Sequence, residues 1–129
     1  MIQYKTDRIN MEWNGNLVTK KLVNLMTMIN LYSEMEFNKS IIITDLIRHQ
    51  DEQNHIYRNN VKFQQKPWKS THQFGRAADI RSSIYTTDEI EKMVSFANMV
   101  TYDTSRPNKN TCLAHTVGSG FHIHSQTLS

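Results

Sequence analysis

Ser70-Thr71-His72-Gln73-Phe74-Gly75-Arg76-Ala77-Ala78-Asp79 is the stretch on which the reading of this chain turns. It sets a histidine and a carboxylate seven residues apart around a glycine, with two alanines just before the acid. Side chains that share one zinc ion must converge until each donor atom lies roughly 2.0–2.2 Å from it. Seven residues of straight helix would separate His72 from Asp79 by about 10 Å along the axis, and seven of strand by about 23 Å. The spacing therefore predicts a bend between them, and Gly75 is the residue able to take a positive φ at little cost. Ala77 and Ala78 would let the backbone after the bend pack closely against a neighbour.

A third donor comes from Phe121-His122-Ile123-His124, where apolar and imidazole side chains alternate. On a strand this sends both histidines to one face and both apolar residues to the other. His72, Asp79 and one of His122 or His124 would supply three ligands and leave a fourth position for water, the arrangement of catalytic rather than structural zinc.

At 129 residues the chain has room for one domain with a real core, residues 1–129, and is too short for two. Its net charge of +3 and isoelectric point near 9.1 suit anionic surroundings without naming a partner. Cys112 is the single cysteine, which excludes an internal disulfide and C-x-x-C metal or redox motifs; in its apolar strand it reads as a small core residue. The longest aliphatic run is Ile41 to Ile43, so no membrane-spanning helix is expected, and the polar stretch from Met1 to Asn16 lacks a signal-peptide core. The expectation is synthesis in the cytoplasm, with any action outside dependent on separate release. No aromatic-basic ribbon or recognition helix points to nucleic acid.

In chain order, Met1 to Asn16 shows no clear period, and Asn14-Gly15-Asn16 reads as a turn with Asn16 able to cap the next helix. Val18, Leu22, Leu25, Ile29 and Tyr32 then recur at helical spacing and predict a scaffold helix from Leu17 to about Phe37, with Met26, Met28 and Met35 filling the core. Asn38-Lys39-Ser40 breaks it, and Ile41 to Thr44 predicts a short buried strand. Asp51 can cap a helix through about Asn59, and Val61 to Lys69 reads as a loop whose Trp68 either lines a groove or packs on the core. After Asp79, Ile80 to Ile84 look extended. Thr86-Thr87-Asp88-Glu89 is a capping box that opens a helix to Val100, with Ile90, Met93, Val94 and Ala97 on its buried side. Residues 111–117 and 121–126 predict two strands joined across Gly118-Ser119-Gly120. The whole predicts an α+β fold with an antiparallel sheet, packed helices and the metal site on one sheet face.

Ser70, His72, Gly75, Ala77 and Asp79 fit an S-x-H-x-x-G-x-A-x-D pattern, and His122-Ile123-His124 supplies an H-x-H nearer the C-terminus. In this the chain resembles the zinc D-alanyl-D-alanine carboxypeptidases and the related phage endolysin L-alanyl-D-glutamate peptidases, which share their fold with the hedgehog signalling domain. Thr44 to Tyr57 also looks like the family's strand, arginine and acidic helix start. The resemblance implies that His72, Asp79 and His124 bind one zinc ion per chain with His122 beside it. Arg48 would act near the substrate carbonyl or carboxylate, and Ser70 would support the site or contact substrate. His49 and His55 read as solvated helix residues.

Relatives place an acidic general base three or six residues before the last zinc histidine. Here those positions hold Phe121 and Gly118. His122, then His115, then Asp103 are the groups that could take its place; a positioned base contributes roughly 10² to 10⁴ in rate. The function the resemblance implies is a zinc peptidase acting on the stem peptides of bacterial peptidoglycan, as a monomer with neither membrane nor nucleic acid as partner. It would act on the cell wall after holin-type release or as part of a virion. The alternative is a domain that keeps fold and zinc but binds rather than cleaves.

Overall fold

The computed structural model describes residues 1–15, 17–47, 54–55, 58–65, 75–100, 112–117 and 120–127. Its strands are β1 (Gln3–Tyr4), β2 (Ile42–Asp45), β3 (Ala77–Ile80), β4 (Cys112–Val117) and β5 (Gly120–Gln126). Its helices are α1 (Asp7–Asn14), α2 (Lys20–Phe37), α3 (Val61–Gln65) and α4 (Thr87–Val100). The fold is α+β, and the strands form one sheet in the order β1-β2-β3-β5-β4.

The scaffold helix ends at Phe37 as expected but starts at Lys20 rather than Leu17, which leaves Val18 outside it. Leu22, Leu25, Met26 and Ile29 are all at most 2% exposed. Its first turn is capped by Thr19, whose Oγ1 accepts the Leu22 N–H at 3.2 Å. Asn16 is therefore not the cap, and it lies outside the described residues. Asn38 ends the helix in the left-handed conformation, φ 55°, a place that asparagine tolerates. Met28 and Met35 are exposed rather than core-filling, because the α2 stripe that faces the sheet is already filled by Leu22, Leu25, Met26 and Ile29.

The sheet departs from the expected antiparallel pattern at one edge. β1 runs parallel to β2, with Gln3 opposite Ile42 and Tyr4 opposite Ile43, so the sheet is mixed. This strand and α1 arise inside the N-terminal stretch that shows no apolar period. The helix is set by Thr6, whose Oγ1 accepts the Ile9 N–H, and by a buried Glu12 that takes Arg8 Nε at 3.0 Å and the Ile47 N–H at 3.3 Å. Val61–Gln65 is a short helix where a loop was expected. The helix anticipated after Asp51 falls largely outside the described residues, as does Trp68; His55 is exposed.

β3 stops at Ile80, earlier than the extended run to Ile84 suggested, because the chain turns as the Tyr85 N–H reaches the Ser82 carbonyl at 3.0 Å. The capping box then opens α4 as its sequence demands: the Glu89 N–H bonds Thr86 Oγ1 and the Thr86 N–H bonds Glu89 Oε1. Met93 and Ala97 are fully buried, with Ile90 and Val94 packed at the edge of the core. α2 and α4 pack together over the sheet, α2 against β3 and α4 against β4. Ala78, Ile80, Ile123 and Cys112 point into that core. Burial pushes the Cys112 thiol up to about 11, which keeps it protonated and inert, in keeping with a core role. No described helix is long and apolar enough to cross a membrane.

Candidate metal centre

The backbone delivers the central carboxylate. Gly75 has φ +66° just before β3, and its carbonyl accepts the Thr19 N–H at 3.0 Å, which ties the bend to the start of α2. A Cβ at Gly75 would sit 2.3 Å from the Leu17 carbonyl oxygen, so both the conformation and the close approach require glycine. Ala77 and Ala78 are fully buried, which lets β3 run through the middle of the sheet.

Strand register does the rest. β3 and β5 pair antiparallel with Asp79 directly opposite His124, and His122 lies two residues along β5 on the same face. The neighbours Ala78, Ile80, Ile123 and Ser125 alternate to the opposite, fully buried face. His124 Nδ1 meets Asp79 Oδ1 at 2.9 Å, and His122 Nε2 stands 3.5 Å from Asp79 Oδ2. Each carboxylate oxygen thus faces one imidazole nitrogen, and the acid is 3% exposed. The other ring nitrogen of His124 faces Gln126 Oε1 at 3.0 Å. His124 thus has an oxygen partner on the nitrogen turned away from Asp79, the usual condition of an imidazole ligand.

One ligand atom from each of Asp79, His122 and His124 lies within 4.8 Å of the others, so the group can hold a metal ion. Two nitrogens and a carboxylate oxygen suit zinc, which at bond lengths of roughly 2.0–2.2 Å keeps tetrahedral ligand atoms about 3.3–3.6 Å apart. The donor set therefore fits the ion.

The cluster opens on a cleft of about 410 Å³ lined by Lys5, Thr44, Asp45, Asp79, Arg81, Ser82, Ser83, Phe121 and His122. Thr44 Oγ1 donates to the Asp79 carbonyl at 3.4 Å, and Ser82 Oγ to the Phe121 carbonyl at 3.2 Å, so β2, β3 and β5 are stitched together at the cleft floor.

Of the residues singled out in the sequence, Asp79, His122 and His124 are brought together. His72, Ser70, Arg48 and Asp103 lie outside the described residues. The β4–β5 register sets His115 across from His122, and its side chain also lies outside them. Phe121, one of the positions where the resemblance leads one to expect an acid, is 54% exposed and borders the cleft. Lys5, Asp45 and Arg81 were not legible as site residues: each is an ordinary surface-type charge in sequence, and only the β1–β2–β3 pairing gathers them. A scan against protein-family models and searches of curated proteins and of solved structures each found no match to this chain.

Proposed function

We propose that the protein is a zinc peptidase of the hedgehog and D-alanyl-D-alanine carboxypeptidase fold that hydrolyses peptide bonds of bacterial peptidoglycan. The observation that carries this reading is the Asp79–His122–His124 cluster, buried on one face of the sheet and opening into a cleft. The resemblance of residues 70–79 and 122–124 to that family supplies the substrate class. Zinc, when bound, lowers the pKa of a coordinated water to about 7 and polarises a carbonyl oxygen.

Asp79 and His124 hold the ion in this reading. His122 is the third donor among the described residues, whereas the resemblance assigns that place to His72 and leaves the His122 imidazole to move the proton. His122 Nε2 stands 3.5 Å from Asp79 Oδ2, close enough for either assignment. Arg48 and Ser70, on the resemblance, contact the substrate. The two assignments separate experimentally: His122→Ala lowers the zinc content if His122 is a ligand, and keeps zinc but loses rate if it moves the proton.

The test is incubation of purified protein of measured zinc content with peptidoglycan, products being read by mass spectrometry beside His72→Ala and His124→Ala controls. Cleavage products from the wild type that vanish in the His124→Ala control are the expected result. A second reading, a zinc-retaining domain that binds wall peptides, is favoured by Phe121, which presents no proton acceptor where relatives have one. One zinc per chain with no product would leave that second reading standing, and no zinc at all would sink both.

A further inference from the structure

The cleft beside the metal cluster carries two cations, Lys5 and Arg81, whose side chains have no partner among the described residues. Lys5 is exposed and Arg81 half-buried, and among the described residues neither side chain makes a hydrogen bond or an ion pair. Their backbones, by contrast, are fixed. The Lys5 N–H bonds the Ile43 carbonyl at 2.9 Å from one side of β2, and the Arg81 N–H bonds the Ile42 carbonyl at 2.9 Å from the other. The two residues are thus mounted on opposite flanks of one strand, and both line the wall that also holds Asp79 and His122.

The charge balance makes the arrangement informative. Lys5 and Arg81 face two cleft carboxylates, Asp45 and Asp79. Asp79 lies against His122 and His124, and Asp45 has interactions that involve neither cation. A divalent ion at the cluster would leave the cleft with a surplus of two positive charges. Unpaired guanidinium and ammonium groups on a concave wall supply the donors that a carboxylate accepts, the guanidinium in a planar fork.

We propose that Lys5 and Arg81 form a carboxylate-recognition subsite that selects acidic peptides for the cleft. This rests on the peptidase reading for its choice of a peptide as the ligand. The carboxylate has two sources, a chain terminus or an acidic side chain, and the same two cations serve either.

The experiment is calorimetric titration of the zinc-loaded protein with three peptides: acetyl-Ala-Ala-Ala with a free carboxylate, its carboxamide, and acetyl-Ala-Glu-Ala carboxamide. The expected result is at least about tenfold tighter binding of one carboxylate peptide than of the uncharged carboxamide, the scale of a charge-assisted hydrogen bond discounted for solvent. Which carboxylate peptide wins identifies the source. Arg81→Gln and Lys5→Gln, checked for unchanged melting, should each erase most of that preference, and it should shrink with added salt.

Equal binding of all three peptides, no binding of any, or a preference that survives in both variants would overturn the subsite. Because the readout is binding, its failure is distinct from failure of the peptidase reading: cleavage without carboxylate preference sinks only the subsite, and preference without cleavage sinks only the enzyme.

Discussion

At Gly75 one added methyl group would meet the backbone of Leu17 at 2.3 Å while forcing an L-residue to hold φ +66°. The left-handed conformation alone costs an L-residue about 1–2 kcal/mol, and the clash is with backbone that cannot rotate away. Gly75→Ala is therefore expected to lower stability by more than about 2 kcal/mol in urea titration, and to weaken zinc binding as β3 shifts under Asp79. Gly75 was singled out in the sequence as the residue able to take a positive φ, and it does so; the reason found in the structure is its approach to Leu17, and His72, for which the bend was invoked, lies outside the described residues. The pairing of Asp79 with both histidines was legible in part: alternation put His122 and His124 on one face, but only the register shows that Asp79 lies opposite His124 and diagonal to His122.

Elements were legible where a period or a cap was strong. α2 and α4 have apolar stripes, and α4 has its capping box as well. Replacing Thr86 by Ala removes the acceptor for the Glu89 N–H and should destabilise the protein by about 1 kcal/mol, measured as a lower urea midpoint at unchanged m-value. Glu89 is also held below the usual carboxylate range, first by its hydrogen bond from Lys39 and then by the Thr86 N–H. A depressed folded pKa means that this contribution is present above the ordinary glutamate range and lost as pH falls through the folded value. α1 and β1 were not legible for a physical reason. β1 is two residues long, and α1 buries only Ile9 and the charged Glu12 while Met11 stays 74% exposed, so no apolar stripe announces the helix. Its Arg8–Glu12 pair is local, i to i+4, but the bond from the Ile47 N–H to Glu12 depends on the chain having already folded.

For the molecule as a whole, metal binding should act as a staple across the sheet. A ligand that binds only the folded state stabilises it by RT ln(1 + [L]/Kd), about 2.7 kcal/mol at a hundred times Kd. Zinc is thus expected to raise the melting temperature, EDTA to reverse the rise, and His124→Ala to abolish it in a thermal scan. The class of fold was legible in the order of elements, whereas the parallel edge was not, since β1 has no sequence signal of its own. The cleft likewise belongs to the whole: Lys5, Asp45, Arg81 and Phe121 come from β1, β2, β3 and β5 or their ends, and no local pattern links them.

The strand order carries a consequence in time. Asp79 and His124 are neighbours in the sheet but 45 residues apart along the chain. At synthesis rates of roughly 5–20 residues per second, the carboxylate is made about two to nine seconds before its partner imidazole exists. During that interval β3 is a central strand with one side unpaired, and the nascent chain holds an acid without either described histidine. On the metal reading, the three donors of this cluster come together only once β5 has docked on β3, so a loaded centre would also report that this pairing is made.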